Sequence, residues 1–214
     1  MIDKLLYKLG EKYTLTEIPT GEFATLKASG MKFTVRAYHA EGLGHVSVMS
    51  AVGFFGLMRM DTLILAPTKA DLPLYSYDRI YALGNDTLIV ELYDTMLGEY
   101  DGAHLDAVKE KYKELSERDP GEHWYDSIKL PQSISKKGKK SASAALDALA
   151  AEHFSSFINA CANDVSDGAK KQEKTAYYVN GLLERGGPST DVFKKALGIE
   201  KTEKLFKEIL FGTR

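Results

Sequence analysis

The hydrophobic pattern of this chain changes about halfway along its length. Between residues 13 and 95, apolar and polar residues alternate in short segments that turn residues separate, which is typical of β-strands. Between residues 100 and 212, apolar residues recur at the three- to four-residue spacing of helices. A helix over residues 1–12 is predicted to precede both regions. The chain is therefore predicted to have a strand-rich part followed by a helix-rich part.

The first part predicts six or seven strands. No gap before residue 95 is long enough for a crossover helix, so we expect neighbouring strands to be antiparallel. A hairpin turn is expected at Gly84-Asn85-Asp86, because glycine and asparagine tolerate positive φ. The predicted strands cover residues 14–19, 23–28, 31–41, 45–52, 57–66, 74–83 and 87–93.

The second part predicts helices, and residues 124–134 are ambiguous between a loop and one more strand. The lysine-rich run Lys136–Lys140 is predicted to be an exposed loop. A short helix is expected to begin at Ser189-Thr190-Asp191, with an N-cap, and to end at Gly198. The other helices are predicted over residues 105–115, 143–162, 174–185, where Gly186-Gly187-Pro188 follows, and 201–211.

Strands followed by helices indicate an α+β fold. Because the strands carry apolar residues on both faces, we expect helices on both faces of the sheet. The sequence thus predicts an α/β/α sandwich with a central antiparallel sheet, in a single domain spanning residues 1–214.

Composition and charge exclude several classes of protein. The 214 residues are 44% hydrophobic and 27% charged, as in soluble globular proteins. A net charge of −2 gives no overall attraction to nucleic acid or to an anionic membrane. The single cysteine, Cys161, excludes an intrachain disulfide and a cysteine-only metal cluster, and its place on a helix's apolar face predicts a buried thiol. We expect a cytoplasmic protein with no nucleic-acid or membrane partner.

The common motifs of catalysis are absent from the sequence. It contains no G-x-x-x-x-G-K-[ST] phosphate-binding loop and no G-x-S-x-G nucleophile elbow. The five histidines form neither H-x-x-x-H nor H-E-x-x-H, so no metal site is predicted.

Asp78 is the most informative candidate for chemistry. Strand parity places it on the same face as Leu74, Ser76 and Ile80, which is mainly apolar. A carboxylate there is costly unless it is paired, hydrogen-bonded or protonated, and desolvation raises its pKa. A raised pKa makes a carboxyl group a usable proton donor near neutral pH. The alternatives are a partly exposed face or a structural partner for Asp78.

Asp61 is the second candidate, since aspartate is unfavourable in the middle of a strand. It shares a face with Arg59, Leu63 and Leu65. The alternative interpretation is an Arg59–Asp61 salt bridge on a solvated face.

Other strand positions offer possible ligand contacts. His45 and Ser47 point the same way beside a glycine turn, although a histidine there is more often a residue of the site's rim. Tyr75, Tyr77 and Tyr81 alternate along one strand, where they would line a flat aromatic ligand or simply pack in the core.

The sequence also resembles a known family. The run from Asp61 to Ile80, with its Pro-containing loop and its Leu-Pro-x-x-x-x-Asp segment, resembles the central strands of the ferredoxin-dependent bilin reductases. Red chlorophyll catabolite reductases share that fold. The run from Tyr178 to Phe211 is similar to the closing helices of the family, including Ala196-Leu197-Gly198 and the terminal Leu210-Phe211. The resemblance covers about residues 30–212.

The resemblance implies roles for individual residues. Asp78 corresponds to the catalytic aspartate, Asp61 to a position that is often histidine, and Ser47 lies near a position that is glutamate in many members. The sequence departs from the family at Gly187, where several members have aspartate. It departs again at Gly212, where members have an aspartate after the terminal phenylalanine.

The function implied is that of an oxidoreductase acting on an open-chain tetrapyrrole, a bilin or a chlorophyll catabolite. Reduced ferredoxin would supply electrons one at a time, no cofactor would be bound, and Asp78 would donate protons with Asp61 assisting. The substrate would lie between the sheet and a layer of helices. The expected substrate-binding residues are His45, Ser47, Tyr77, Arg59 and Arg185.

Two further expectations concern partners. An acidic ferredoxin needs a local basic patch on this near-neutral chain, for which Lys136–Lys140 and Lys194–Lys195 are candidates. A protein of the same fold that binds a tetrapyrrole or another flat apolar ligand without turnover is the alternative function. A structural or interaction protein unrelated to tetrapyrroles is the third hypothesis.

Overall fold

The computed structural model describes residues 1–187 and 189–213; Pro188, expected at a helix end, and Arg214 lie outside the described residues. An antiparallel sheet of eight strands, in the order β1-β3-β4-β5-β6-β7-β8, forms the centre of this part of the chain. The remaining strand, β2, pairs with the first half of β3, and β1 pairs with its second half. The strands are β1 Leu15–Ile18, β2 Thr25–Ala28, β3 Met31–Ala40, β4 Gly44–Gly53, β5 Met58–Pro67, β6 Leu74–Ala82, β7 Asn85–Tyr93 and β8 Ile134–Lys139.

The helices cover both faces of this sheet. Within the described residues they are α1 Ile2–Lys12, α2 Ala103–Lys111, α3 Ser143–Ile158, α4 Gly168–Arg185, α5 Thr190–Leu197 and α6 Ile199–Lys204. A π-helix, Leu205–Leu210, follows α6 directly. In the part of the chain that the structure describes, every helix is too short or too polar to cross a bilayer.

The two faces bury different clusters of apolar side chains. On the packed face, strand residues such as Val48, Leu63 and Tyr77 contact α1, α2 and α3. On the opposite face, which we call the cavity face after the cavity described below, strand residues such as Phe33 and Met49 lie under α4, α5 and the π-helix. This arrangement confirms the predicted α+β fold with an antiparallel sheet between two helical layers.

Close packing fills the packed face. The Tyr75 ring lies 4.6 Å from that of Phe157, and the Tyr75 hydroxyl is 3.3 Å from Nδ1 of His153. Burial lowers the pKa of His153 to about 4, so this imidazole is neutral at physiological pH. The buried Arg79 guanidinium pairs with Asp86, with 2.6 Å between Nε and Oδ1.

The prediction of an exposed loop at Lys136–Lys140 is wrong. Residues 134–139 form β8, which pairs with β7 at the end of the strand order. Lys136 is buried, and its amine donates to the carbonyl of Leu115 and pairs with Glu117. Lysine-rich strands are common at sheet edges, where the charge prevents pairing with another chain. On β8 the exposed Lys137 and Lys139 have this composition, and residues 116–118 also cover part of the outer edge through backbone hydrogen bonds with Ser135 and Lys137.

Three local predictions also need correction. The β6–β7 hairpin turns at Leu83 and Gly84, one residue earlier than predicted, and both have positive φ (51° and 76°). The α3 helix ends at Ile158, so Cys161 lies beyond it and is exposed rather than buried. The α5 helix begins and ends as predicted, but the Ser189 side chain makes no capping hydrogen bond.

Candidate functional site

A cavity of about 470 Å³ lies between the cavity face of the sheet and the helices that cover it. This volume is within the range of sites for small organic ligands. Among the described residues, β3 to β7 form its floor through Met31, Phe33, Met49, Met58, Met60, Thr62, Ile64, Ser76, Asp78, Ile80, Ile89 and Glu91. Its opposite wall comes mainly from α4, α5 and the π-helix, through Tyr178, Leu182, Thr190, Val192, Phe193, Phe206, Leu210 and the adjoining Phe211.

Methionines dominate one side of the floor. Four of the chain's six, Met31, Met49, Met58 and Met60, line the cavity. Methionine side chains are flexible and polarizable, so they adapt to the shape of a ligand and make favourable contacts with aromatic rings. This floor suits a flat, apolar molecule.

Asp78 lies on the cavity floor, on the face that strand parity predicts. It stands opposite Thr62 in the register between β5 and β6. The Thr62 hydroxyl donates a hydrogen bond to Oδ1 of Asp78, at 2.5 Å. This donor holds the carboxyl group in one orientation toward the cavity.

The environment of Asp78 changes its acidity. Burial is the main cause that raises its pKa from 3.8 to about 6, and the negative charge of Glu91 adds to the increase. The hydrogen bond from Thr62 acts in the opposite direction, since it stabilises the carboxylate. At pH 7 about one tenth of the Asp78 groups are protonated, which suffices for a general acid that is reprotonated between turnovers.

Glu91 is a second acid in the cavity and is not among the site residues predicted from the sequence. It is opposite Ser76 in the register between β6 and β7, on the same face as Asp78. The Tyr93 hydroxyl donates to Oε2 of Glu91 at 2.6 Å, and the Tyr93 ring stacks on Tyr178 at 4.1 Å. Asp78 was identified as an acid on a mainly apolar strand, and Glu91 in the apolar run of β7 has the same pattern. The sequence therefore contained the signal for Glu91.

Basic side chains reach the cavity at another part of its wall. Arg118 and His123 are the basic residues that line it within the described chain. The His123 ring stacks on Tyr125 at 4.8 Å, and its Nδ1 is buried with no hydrogen-bond partner among the described residues. A carboxylate of a bound molecule would pair with the Arg118 guanidinium and form a hydrogen bond with Nδ1 of His123. No sequence signal marked them, because they lie in an irregular segment.

His45 and Ser47 face the same side of the sheet as Asp78 but do not line the cavity. Nε2 of His45 lies 2.8 Å from the carbonyl oxygen of Ile209, and Oγ of Ser47 donates to that of Leu210 at 2.8 Å. His45 is buried, so it is not the rim residue that its place beside a turn suggests. This burial lowers its pKa. These two hydrogen bonds attach the π-helix to β4. Gly212 follows with φ 64°, where a Cβ atom would lie 2.6 Å from the His45 ring.

Asp61, Tyr77 and Arg59 lie away from the cavity. Asp61 precedes Thr62, so its side chain points to the opposite side of the sheet, where it accepts a hydrogen bond from Ser50 at 2.7 Å. Arg59 lies over the ring of Tyr81, at 5.4 Å, and forms no ion pair with Asp61 within the described chain. Tyr77 is buried in the core of the packed face, and that burial raises its pKa.

Arg185 lies at the protein surface at the end of α4. Its guanidinium is 5.4 Å from the ring of Trp124, whose Nε1 donates to the carbonyl of Gly186 at 3.0 Å. Of the predicted site residues, Asp78 alone lines the cavity. The described residues contain no group of three His, Cys, Asp or Glu side chains placed to hold a metal ion.

Comparisons with known proteins agree with this architecture. No protein-family model and no curated protein sequence matches the chain. Among solved structures, phytochromobilin synthase from tomato in complex with biliverdin is similar, with a TM-score of 0.74 and 14% sequence identity. The superposition covers 100% of this chain and 83% of that one. The chain therefore has the fold of a bilin reductase, as the resemblance in its sequence implies.

Proposed function

We propose that this protein binds an open-chain tetrapyrrole in the cavity and reduces it, with Asp78 as the proton donor. The observation that carries the proposal is a carboxyl group with a raised pKa on the floor of an otherwise apolar cavity. A buried acid is expensive for a protein to maintain, and such groups concentrate at sites that transfer protons.

The chemistry of the cavity supports this class of ligand. A linear tetrapyrrole is flat and apolar, with two propionate groups. The methionine floor and the aromatic residues Tyr178, Phe193 and Phe206 suit its rings, while Arg118 and His123 suit a propionate. The structural relative was solved in complex with biliverdin, which supports the same ligand class.

Reduction of one double bond requires two electrons and two protons. In the proposal, ferredoxin supplies the electrons singly, and no bound cofactor takes part. Asp78 gives one proton to a carbon of the ligand, and the resulting carboxylate keeps the hydrogen bond from Thr62. The second proton comes from solvent, either directly or through Glu91, the other acid that lines the cavity.

The proposed docking site for ferredoxin is the outer surface of α5. Lys195 is exposed there, Lys194 is half-buried, and Phe193 of the same helix lines the cavity. A partner bound to these lysines would be one helix away from the ligand. Lys136, in the other candidate patch, is buried and already paired.

A carrier that binds the same ligand without turnover is the second candidate function. The absence of Asp61 from the cavity favours it, since the predicted pair of acids is not brought together. Glu91 supplies a second acid, but its oxygens already have partners in Tyr93, whose hydroxyl donates to Oε2, and Lys129, whose amine lies 4.0 Å from Oε1.

Absorption spectroscopy with biliverdin tests both functions. We expect the wild-type protein to shift the visible spectrum of biliverdin on binding, and to bleach or shift it again with reduced ferredoxin. Asp78→Asn should bind biliverdin with an affinity within about threefold of wild type but reduce it at least about a hundredfold more slowly. Asp61→Asn, on the opposite face, is the matched control and should change neither property.

The other outcomes separate the hypotheses. Binding by the wild type without any change on addition of reduced ferredoxin would support the carrier. If biliverdin, haem and chlorophyll derivatives all fail to raise the melting temperature, both tetrapyrrole functions are excluded, because a ligand that binds the native state must stabilise it.

A further inference from the structure

One end of the sheet exposes a group of large apolar side chains. The strand registers align Met31, Gly53, Met58, Ala82 and Asn85 in one row across this end, so the turns beyond that row lie side by side. The β4–β5 turn exposes Phe55 completely, and the β6–β7 turn leaves Leu83 84% exposed. We call this group the tip surface: Val52, Phe54, Phe55, Leu57 and Leu83.

The backbone of the β4–β5 turn directs these rings outward. Phe54 and Phe55 both have positive φ, at 51° and 56°, which is unfavourable for residues other than glycine. A hydrogen bond from the Leu57 amide to the Phe54 carbonyl closes the turn at 3.1 Å. The strained turn thus holds Phe55 entirely in water and leaves Phe54 55% exposed, so burial within this chain does not explain the Phe55 ring.

Positive charge surrounds the tip surface. The segments that form this end, residues 27–32, 52–59, 81–85 and 137–140, contain six basic residues and no acidic one. All six are exposed: Lys27, Lys32, Arg59, Lys137, Lys139 and Lys140. The next acid along β7, Asp86, is buried in its ion pair with Arg79. A chain of net charge −2 therefore has one locally cationic end.

We propose that the tip surface docks onto an anionic lipid bilayer. Exposed aromatic and aliphatic side chains enter the boundary between headgroups and acyl chains, and surrounding lysines and arginines bind anionic headgroups. An acidic protein would match the charge but offers no continuous apolar phase for a ring as exposed as that of Phe55. The lipid surface satisfies both the apolar and the cationic features.

The tip surface also adjoins the cavity. Ser29, Met31 and Phe54 line both the cavity and the groove between the β2–β3 and β4–β5 turns. Docking would place this side of the cavity at the bilayer, so an apolar ligand could enter without crossing water. This consequence rests on the proposed function, whereas the docking itself does not.

Sedimentation with lipid vesicles tests the proposal without any tetrapyrrole. The wild-type protein should bind vesicles of phosphatidylcholine with phosphatidylglycerol and bind pure phosphatidylcholine vesicles much more weakly. Phe55→Ser should weaken binding about tenfold, since a buried phenylalanine side chain contributes that much or more. Lys32→Glu combined with Arg59→Glu should weaken it by roughly fivefold for each charge removed.

Matched variants elsewhere control for general effects. Ile199→Ser removes an apolar side chain that is 73% exposed on α6, and Lys4→Glu reverses an exposed charge on α1. Neither should change vesicle binding. All these positions are at the surface, so each variant should keep the wild-type melting temperature.

Two results would overturn the proposal. One is that wild-type protein does not sediment with anionic vesicles. The other is that Phe55→Ser binds them as well as wild type does. If vesicles do not bind but Phe55→Ser slows reduction by ferredoxin, the tip surface is a protein-docking surface instead.

Discussion

The two faces of one sheet show how differently the same strands can be used. On the packed face, aromatic rings fill the space above the sheet, and the charged pair Arg79–Asp86 is fully buried with each charge neutralised. On the cavity face, the helices leave about 470 Å³ above the strands, and among the described residues Asp78 has a hydroxyl partner but no cationic one. On the packed face, the ion pair between Arg79 and Asp86 offsets the cost of burying their charges. On the cavity face, burial instead raises the pKa of Asp78.

A step of one residue separates these two environments. Thr62 and Asp78 face the cavity, whereas their neighbours Asp61 and Arg79 point to the opposite side. Because side chains alternate along a strand, adjacent residues can serve stability and chemistry independently. The comparison therefore predicts that neighbouring substitutions have unlike effects.

The largest difference is expected for loss of apolar volume. Phe157→Ala on the packed face should lower the free energy of unfolding by about 3–5 kcal/mol, because it opens a void in a filled core. Met60→Ala, on the cavity floor, should cost about 1 kcal/mol, since its side chain already borders open space. Urea denaturation of both variants without ligand measures the difference, and equal losses would show that the cavity is closed in solution.

A smaller effect, of opposite sign, is expected for Asp78→Asn. The folded pKa of about 6 exceeds the unfolded value of 3.8, so the folded state binds the proton more tightly. The carboxyl group's favourable contribution is complete below pH 4 and is lost as the pH rises through 6. The full shift corresponds to about 3 kcal/mol, and access of cavity water reduces this to about 1–2 kcal/mol. Thermal unfolding at pH 7.5 should therefore show Asp78→Asn to be more stable than wild type, with no gain at pH 4.

The control for this prediction is on the packed face. Asp86→Asn removes a charge whose partner, Arg79, stays buried, so it should destabilise the protein by about 3 kcal/mol. Stabilisation by both substitutions, or by neither, would contradict the contrast between the two faces.

The smallest effect concerns the hydroxyl beside each aspartate. Thr62→Val removes the hydrogen bond that stabilises the Asp78 carboxylate, so its pKa should rise further, by roughly half to one unit. Carbon-13 NMR titration of the Asp78 carboxyl measures this shift directly. Ser50→Ala, which removes the donor to Asp61, should leave the titration of Asp78 unchanged. An unchanged midpoint in Thr62→Val would show that the hydroxyl does not bind the carboxylate.

The sequence predicted the architecture well, because it depends on local patterns. Alternation within β6 was enough to assign Asp78 to the correct face, and gaps between strands were enough to make the sheet antiparallel. The prediction of a loop at 136–140 was wrong because the pairing of this segment with β7 is a contact across about fifty residues. Alternation alone cannot distinguish a charged edge strand from a loop.

The candidate site was predictable only in part. Parity is known within each strand, but the register between β5 and β6 is not, so the sequence could not show that Thr62 rather than Asp61 is the neighbour of Asp78. The wall formed by Tyr178 and Phe206 depends on how the helices fold back over the sheet. Arg118 and His123 come from an irregular segment with no periodic signal.

The attachment of the π-helix to β4 has a consequence for the order of folding during synthesis. His45 and Ser47 leave the ribosome early, yet their partners at Ile209 and Leu210 emerge some 160 residues later. Until then the strand residues beneath the π-helix lack this cover, and a nascent chain with exposed apolar surface is prone to aggregate. The part of the cavity wall that the π-helix forms is thus completed only after all the described strands have been synthesised.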